Sequence, residues 1–290
     1  MIGLIGLGQM GGAMLRRLRA EGQPVLAYDL DPRLRQSASE AGATACDSPA
    51  GITASVVLLS LPQASAVSAV LDELLPVLPP GAVIVDTSTL EPVAARGFAA
   101  DATRVGIAYL DAPVSGGPAG AEAGQLVMMV GGDPAALERA TPQVSRITSR
   151  IVHVGAAGAG QVAKLANNLL VATHLAAAAE VLRMADAAGV PPEALLPVLN
   201  AASGRSAATE VNWPRWIATG AFDSGFTAGL MRKDVRLALS LAAEAGTPLA
   251  VCNAAAEAWE TSPVSDAEEF NRVAATLFGQ RAPAPEKRRS

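Results

Sequence analysis

The sequence predicts an α/β domain built on a parallel sheet, followed by a second domain that is all-helical. In the first half, short apolar runs alternate with helical patterns, and this alternation is typical of βαβ units. In the second half, the stretch from Gln161 to Ala188 has helix length and contains neither glycine nor proline. The chain has 290 residues, which is enough for two domains that each bury a core.

Seven apolar segments are the predicted strands of the first domain. Between the first two, Gly11–Ala20 has the length of a helix and places Met14, Leu15 and Leu18 on one face. Pro79-Pro80-Gly81 predicts a sharp loop before the fourth strand. The predicted strands are Ile2–Gly6, Val25–Asp29, Val56–Leu61, Val83–Asp86, Tyr109–Ala112, Leu126–Val130 and Ile151–Val154.

The second domain is predicted to begin with one long helix over Gln161–Ala188. Such a helix would be about 40 Å long, and its first part is apolar around most of its circumference, so we expect burial on several sides. The polar side chains within it would be costly in a bilayer, which indicates a buried helix rather than a membrane span. These side chains are Lys164, Asn167, Asn168 and His174. Shorter helices are predicted at Pro192–Ala201, Lys233–Ala245, Leu249–Thr261 and Asp266–Phe278.

The domain boundary is predicted near Gly160, because the six residues Gly155-Ala156-Ala157-Gly158-Ala159-Gly160 are rich in glycine. Residues 1–160 would then form the first domain, and residues 161–280 the helical one. Residues 281–290 contain two prolines and end in basic residues, so we expect a loose tail there.

The composition narrows the classes of function. The net charge is −5, so we expect no nonspecific attraction to nucleic acid or to an anionic membrane. The two cysteines, Cys46 and Cys252, give no disulfide framework, and neither they nor His153 and His174 have the spacing of metal ligands. The chain starts at Met1 without a recognisable targeting segment. We therefore expect a cytoplasmic protein without a metal site.

A glycine-rich turn follows the first predicted strand and opens the first predicted helix. Its sequence is Gly6-Leu7-Gly8-Gln9-Met10-Gly11, a G-x-G-x-x-G pattern. Gly6 permits a tight turn, Gly8 lets the backbone approach a pyrophosphate, and Gly11 lets helix and strand pack closely. The helix N-terminus would then face the negative charge. These six residues in this context predict a dinucleotide-binding site and a Rossmann-type first domain.

An acidic residue ends the second predicted strand, about twenty residues after the glycines. Asp29 would accept hydrogen bonds from the adenosine ribose hydroxyls and would repel a 2′-phosphate, which favours NAD over NADP. Arg33 and Arg35 follow closely and leave an alternative, in which they receive the phosphate of NADP. Otherwise both arginines are solvated residues at the start of the next helix.

A second glycine turn follows the fifth predicted strand, in Asp111-Ala112-Pro113-Val114-Ser115-Gly116-Gly117. In it, Ser115, Gly116 and Gly117 can direct successive backbone N–H groups towards one point. Such a nest binds an anion, for example a carboxylate. An ordinary glycine turn is the alternative interpretation.

Two polar residues on the long helix are candidates for chemistry. Lys164 and Asn168 are four residues apart, so they share one helix face one turn apart. A lysine in a nearly apolar helix is unusual, and burial lowers the pKa of a lysine towards the range useful for proton transfer. The alternative is a lysine that extends its charge to solvent.

Together these stretches resemble the β-hydroxyacid dehydrogenase family, and most closely its 3-hydroxyisobutyrate dehydrogenases. The matching segments have the family's order and spacing and cover most of the chain up to about residue 250. They are Gly6–Gly11, Leu61-Pro62, Asp86–Thr89, Asp111–Gly117, Gly124–Gly132, Gly158–Asn168 and Lys233-Asp234.

The resemblance implies a function and a set of site residues. It implies a Rossmann domain and a helical domain with the active site in the cleft between them, where a small 3-hydroxy acid is oxidised with NAD. Lys164 matches the family's general acid/base, Asn168 a substrate-binding residue, and Ser115–Gly117 the carboxylate-binding turn. The residues that the resemblance places at the cofactor are Leu61, Pro62, Thr89 and Lys233.

Several alternatives stay open beside this resemblance. The family's usual Gly-rich turn before an aspartate is replaced by Thr261–Asp266, which leaves the substrate and the subunit contacts undetermined. An imine reductase of this architecture usually has Asp or Tyr in place of Lys164. A 6-phosphogluconate dehydrogenase would have a glutamate at the position of Val171 and a longer second domain. A non-catalytic NAD-binding protein would not need Lys164 and Asn168 together. The acid could be 3-hydroxyisobutyrate, 3-hydroxypropionate, serine or glycerate, and the long apolar helix favours a homodimer or homotetramer.

Overall fold

A computed structural model describes residues 1–279 of the chain. The chain divides into two compact units, the first over Met1–Leu165 and the second from Ala166 onwards. The division lies inside the long helix, five residues beyond the predicted boundary at Gly160. The tail predicted over 281–290 lies outside the described residues.

The first unit is built on one sheet, in which the described residues form nine strands. In space the order is β3-β2-β1-β4-β5-β6-β8-β7, and β9 pairs with β8. The strands are β1 (Ile2–Ile5), β2 (Val25–Tyr28), β3 (Thr44–Ala45), β4 (Val56–Leu59), β5 (Val83–Asp86), β6 (Ala108–Asp111), β7 (Val114–Ser115), β8 (Leu126–Gly131) and β9 (Thr148–Gly155). All seven predicted strands are present, and the six strands from β1 to β6 run parallel to their neighbours within that group.

The sheet departs from the prediction in two short strands, one at each end of the strand order, and in the direction of β8. The short strands β3 and β7 were not predicted, because two residues are too few to show an alternating pattern. In addition, β8 runs antiparallel to β6 and to β7. Hydrophobic runs do not encode strand direction, since a run that is buried on both faces has the same pattern in either orientation.

Six α-helices lie within the first unit, and a seventh begins in it and continues into the second unit. They are α1 (Gln9–Ala20), α2 (Pro32–Glu40), α3 (Ala64–Leu74), α4 (Pro92–Arg104), α5 (Gly117–Ala123), α6 (Pro134–Val144) and α7 (Ala159–Ala187). Alternate residues of one strand belong to two different buried clusters, for example Val56 and Leu58 to one and Val57 and Leu59 to the other. Both faces of the sheet are therefore buried, as expected for parallel strands.

The second unit is helical. It contains the rest of α7, then α8 (Pro192–Ala201), a π-helical segment (Ala208–Ile217), α9 (Ala228–Glu244), α10 (Ala250–Thr261) and α11 (Asn271–Phe278). Aromatic side chains mark its core, with Trp213 packed edge-on against Phe278 and Trp259 stacked on Phe270. The indole N–H of Trp259 donates to the carbonyl of Ala172 at 3.0 Å and so joins α10 to α7.

Two predicted helix starts in this unit were wrong. Helix α9 begins at Ala228 rather than at Lys233, because the Thr227 side chain accepts from the Leu230 N–H and caps an earlier first turn. Helix α11 begins at Asn271 rather than at Asp266. The backbone before it is bonded elsewhere, since the Phe270 N–H donates to Phe226. The π-helical segment was not predicted.

One helix in the described part of the chain, α7, is long and apolar enough to cross a membrane by length and composition alone. In its most apolar window 44% of the residues are buried inside the protein, and the side chains of Leu165, Leu175, Ala179 and Leu182 have no exposed surface. The core helix of a folded domain has the same composition. We therefore interpret α7 as a core helix.

Candidate active site

The glycine turn between β1 and α1 has the geometry that a dinucleotide needs. Gly6 has a φ of +90°, and a Cβ on Gly6 would collide with the Ser60 carbonyl. A Cβ on Gly11 would in turn collide with the Gly6 carbonyl, so helix and strand meet backbone to backbone. A Cβ on Gly8, in contrast, would meet no atom within 4 Å. The protein's own packing therefore does not require glycine at position 8, but the close approach of a bound ligand would.

The residues present fit a nicotinamide dinucleotide. No side chain among the described residues caps the start of α1, where Gly8 is the N-cap. The first-turn N–H groups of that helix suit a pyrophosphate. Gly6–Gly11 would hold the pyrophosphate, and the nearby carboxylate of Asp29 the adenosine ribose.

Asp29 follows β2 and is tied to the glycine turn. Its Oδ2 accepts from the Leu7 N–H at 2.7 Å, and its Oδ1 accepts from the Asp31 N–H at 2.9 Å. The arginines that follow are engaged nearby: Arg33 pairs with Asp31 at 2.7 Å, and Arg35 donates to the Asp29 carbonyl at 2.7 Å. The carboxylate thus stands beside the turn that would bind the phosphates, and both arginines have partners within the protein.

The loops after β4 and β5 are joined by a serine that the sequence analysis did not single out. Ser88 Oγ accepts from the Leu61 N–H at 2.9 Å, and the Ser88 N–H donates to Asp86 Oδ1 at 2.9 Å. These two loops carry the predicted cofactor residues, since Pro62 follows Leu61 and Thr89 follows Ser88. The structure therefore brings Leu61 and the loop of Thr89 together at the carboxyl ends of adjacent parallel strands.

The predicted anion-binding turn lies between β7 and α5. Ser115 ends β7, Gly116 caps α5 and Gly117 begins it. Gly116 has a φ of +126° and Gly117 a φ of +64°, so both positions favour glycine. A Cβ on Gly116 would also lie 3.2 Å from Leu126 Cδ2. The turn therefore presents bare backbone.

The glycine-rich segment before α7, predicted as a domain boundary, is packed against the sheet. Asp111 Oδ1 accepts from the Gly158 N–H at 2.7 Å, and its Oδ2 accepts from the Gln161 N–H at 3.0 Å. A Cβ on Gly160 would lie 2.5 Å from the carbonyls of Asp111 and Met129. A buried carboxylate thus caps the start of α7. Glycine at position 160 serves this close contact.

Lys164 lies one turn after these contacts and is buried, with 8% of its surface exposed. Helix α7 is continuous through this region, so Lys164 and Asn168 stand one turn apart on it, as predicted. The alternative in which the lysine extends into solvent is not what the structure shows.

Three buried titratable groups lie on the adjacent strands β5 and β6. The Tyr109 hydroxyl donates to Asp86 Oδ2 at 2.5 Å. Burial raises the pKa of Asp86 to about 6 and also raises the pKa of Asp111. Burial, and then the charge of Asp86, raise the pKa of Tyr109 well above its usual value. The sequence pattern alone indicates no role for these three residues.

We expect Asp86 to make stability depend on pH. The pKa of Asp86 is higher in the folded than in the unfolded state. Its carboxyl group therefore stabilises the fold below pH 3.8, and this contribution is lost as the pH rises through about 6. The Asp86→Asn variant should lack this dependence, which is worth at most about 3 kcal/mol. Urea unfolding of both proteins at pH 4.5 and pH 7 measures it, with the exposed cap Asp133→Asn as control. Equal pH dependence in wild type and Asp86→Asn would contradict the assignment.

In the second unit, an aspartate joins two predicted site residues. Asn168 Nδ2 donates to Asp234 Oδ2 at 2.7 Å, and Lys233 Nζ lies 3.5 Å from Asp234 Oδ1. Asn168 Oδ1 accepts from Asn167 Nδ2 at 3.0 Å. Asp234 is buried, and it was noted only as part of the Lys233-Asp234 match. It orients the asparagine amide, which keeps one N–H and one lone pair for a ligand.

Two protein-family models match the chain. The first, described as the NAD binding domain of 6-phosphogluconate dehydrogenase, matches residues 1–155. The second, described as NAD-binding of NADP-dependent 3-hydroxyisobutyrate dehydrogenase, matches residues 158–273. The two matches follow one another along the chain.

Curated relatives and solved structures agree with these matches. The 2-(hydroxymethyl)glutarate dehydrogenase of Eubacterium barkeri is 39% identical over 264 residues, covering 89% of this chain and 88% of the relative. The NAD-dependent L-serine dehydrogenase of Pseudomonas aeruginosa is 38% identical, covering 86% of this chain and 88% of the relative. The structure of Mycobacterium tuberculosis 3-hydroxyisobutyrate dehydrogenase with L-serine is 34% identical with a TM-score of 0.89, covering 95% of this chain and 98% of that one.

These similarities extend over nearly the whole chain and concern dehydrogenases of one reaction type. The relatives act on hydroxy acids, and both family models describe binding of a nicotinamide cofactor. The chain is therefore an oxidoreductase that acts on a CH–OH group with a nicotinamide cofactor, and it belongs to the β-hydroxyacid dehydrogenase family.

Proposed function

We propose that this enzyme reversibly oxidises the hydroxyl of a small 3-hydroxy acid to the semialdehyde with NAD, and that Lys164 is its general acid/base. The observation that carries the proposal is the buried lysine on α7, one turn after a helix start that Asp111 fixes to the sheet. A buried amine held in one place suits a proton transfer that must occur within hydrogen-bond reach.

In the proposed mechanism the lysine handles only the proton. Neutral Lys164 Nζ accepts the proton of the substrate hydroxyl while the carbinol carbon loses a hydride, so the C–H and O–H bonds break and a C=O bond forms. A nicotinamide dinucleotide bound at Gly6–Gly11 would supply the hydride acceptor. In the reverse direction the protonated lysine donates to the aldehyde oxygen. Lys164 then needs to lie about 3 Å from the reacting oxygen.

The substrate carboxylate is proposed to bind at the Ser115–Gly117 turn. This turn offers bare backbone N–H groups and a hydroxyl, which suits a single carboxylate better than a phosphate. Asn168, oriented by Asp234, would hold the hydroxyl or one carboxylate oxygen with its remaining N–H and lone pair.

This proposal predicts that the substrate's charge matters. A methyl ester or amide of the best substrate should lose at least about tenfold in kcat/KM, because a hydrogen bond to a charged group is worth roughly 1.5–3 kcal/mol. Gly116→Val should do comparable harm, since valine neither adopts a φ of +126° nor fits beside Leu126.

Steady-state NADH absorbance measures both effects. Gly120→Ala in α5 is the matched control, because the new Cβ would lie 3.5 Å from Leu126 Cδ2, an ordinary van der Waals contact. This variant should keep wild-type activity. Equal kcat/KM for the free acid and its ester would show that the turn is only structural.

NAD is proposed rather than NADP. The carboxylate of Asp29 would accept from the ribose hydroxyls and repel a 2′-phosphate, and Arg33 and Arg35 are already engaged with Asp31 and with the Asp29 carbonyl. One relative is named as NAD-dependent, whereas the second family model is described for an NADP-dependent enzyme. If NADP is preferred, Arg33 becomes the candidate phosphate ligand, because its side chain is 88% exposed.

A substrate panel tests the proposed function. NAD and NADP are compared side by side with 3-hydroxyisobutyrate, 3-hydroxypropionate, L-serine, glycerate and 2-(hydroxymethyl)glutarate, and NADH or NADPH formation is followed by absorbance. The proposal expects turnover of at least one of these acids with NAD. Reduction of cyclic imines without turnover of any acid would favour the imine reductase, and binding of NADH without either activity would favour a non-catalytic protein.

We also propose that the enzyme is cytoplasmic and forms a homodimer or homotetramer. No residue of α8 is buried in the described part of this single chain, although the helix contains three leucines and a valine, and Val198 is 61% exposed. Met184 on α7 is 66% exposed. Apolar surface of this kind favours a subunit contact. Light scattering of the purified protein would measure the oligomeric state.

A further inference from the structure

Gln161 has no exposed surface, and its side chain bonds to the loop that carries the predicted cofactor residue Thr89. We propose that it is a positioning residue, which holds the loop of Thr89 against the helix of Lys164 so that the two are placed together. The inference rests on the proposed function of Lys164. It concerns only residues of the first unit.

Both polar atoms of the Gln161 side chain bond to the backbone on either side of Thr89. Its Oε1 accepts from the Leu90 N–H at 2.9 Å, and its Nε2 donates to the Ser88 carbonyl at 2.9 Å. The amide therefore brackets Thr89 from the side of α7. Ser88 Oγ also accepts from the Leu61 N–H, so a further hydrogen bond links the Thr89 loop to the loop after β4.

The backbone of Gln161 is fixed independently of its side chain. Its N–H donates to Asp111 Oδ2 at 3.0 Å, and the preceding Gly160 packs directly on the carbonyls of Asp111 and Met129. Lys164 follows three residues later on the same continuous helix. A displacement of the Thr89 loop relative to α7 would therefore have to break the two side-chain hydrogen bonds of Gln161. The experiment below removes these two bonds.

The bridge requires a side chain of this length that both donates and accepts a hydrogen bond. One end must accept from an N–H while the other donates to a carbonyl, and an ionised carboxylate has no donor. Methionine has a similar length but neither a strong donor nor a strong acceptor, so it removes both bonds while filling the space. Gln161→Met and Gln161→Glu therefore separate hydrogen bonding from packing.

The experiment measures NADH formation from 3-hydroxyisobutyrate and from L-serine, with kcat expressed per NADH-binding site. Gln161→Met should lower this kcat by about tenfold or more, because small displacements of reacting groups cost up to about 100-fold. The KM of the acid should stay within about threefold of wild type, whereas the Kd of NADH should rise, because Thr89 is a predicted cofactor residue. The control Asn212→Leu removes another buried amide bond, to Asn271 at 2.8 Å, and should lower the melting temperature while keeping kcat per site.

Gln161→Glu adds a readout that a structural role would not move. When the new carboxyl group is protonated it can donate to the Ser88 carbonyl and accept from the Leu90 N–H, as the amide does. Its kcat relative to wild type should therefore fall as the pH rises and the group ionises, while the ratio for Gln161→Met stays flat. A kcat per site within twofold of wild type for Gln161→Met would overturn the proposal.

The test also separates this inference from the proposed function. If the wild-type enzyme turns over no acid, the proposed function is wrong, and the bridge is then tested by amide hydrogen exchange. Gln161→Met should speed exchange at Leu90, whose N–H bonds to the glutamine, and Asn212→Leu should not. Unchanged exchange at Leu90 in Gln161→Met would show that the bridge does not hold the loop.

Discussion

Replacing Lys164 with alanine is expected to lower kcat by about two to four orders of magnitude, which is the usual contribution of a positioned acid/base. The affinity for NAD should stay roughly unchanged, because the lysine is expected to act on the substrate hydroxyl and not on the dinucleotide. Steady-state turnover and NADH fluorescence titration measure the two quantities. A small alkylamine in the buffer should restore part of the rate, since it can occupy the space of the removed side chain and accept the proton.

A change elsewhere on α7 provides the control. Arg183 lies near the far end of the helix and donates to the Leu277 carbonyl at 3.2 Å, so Arg183→Ala tests for a general effect of perturbing α7. It should keep wild-type turnover. If Lys164→Ala retains more than a tenth of the wild-type kcat, the proton is handled by another group and the proposed mechanism is wrong.

The Asp29→Ala variant is expected to bind NAD about 10- to 100-fold more weakly. A charge-assisted hydrogen bond to the ribose is worth roughly 1.5–3 kcal/mol. The structure adds a second reason, because Asp29 also accepts from the Leu7 N–H and so holds the glycine turn. NADP should lose far less affinity, or gain some, since the repulsion of its phosphate is removed too.

Dissociation constants for NADH and NADPH measure this preference. Asp31→Asn is the matched control, because Asp31 faces Arg33 and caps α2, and asparagine caps a helix equally well. It should leave NADH affinity near that of wild type. A wild-type preference for NADPH would contradict the role proposed for Asp29 and direct attention to Arg33.

Lys164 shows what a local sequence pattern can and cannot predict. The sequence showed a lysine in an apolar helix, but it left open whether the side chain was buried or extended to solvent. In the structure the side chain of Lys164 is buried. Periodicity reports which residues share a face, whereas burial depends on what packs against that face, and this comes from distant parts of the chain.

What the sequence determined by itself was local. The strand, the G-x-G-x-x-G turn and the helix after it lie within twenty residues, so the constraints on Gly6 and Gly11 could be predicted before the structure confirmed them. The order of strands and helices predicted the α/β class for the same reason. Asp29 was predicted from its spacing alone, and the structure added its bond to Leu7.

What only the tertiary structure decided was which side chains support those motifs. Gln161 bonds to residues more than 70 positions earlier, Asp111 to residues about 50 later, and Asp234 to an asparagine 66 positions before it. A glutamine or an aspartate in sequence carries no sign of such a partner, because a hydrogen bond requires atoms to lie about 3 Å apart, and only folding brings these together.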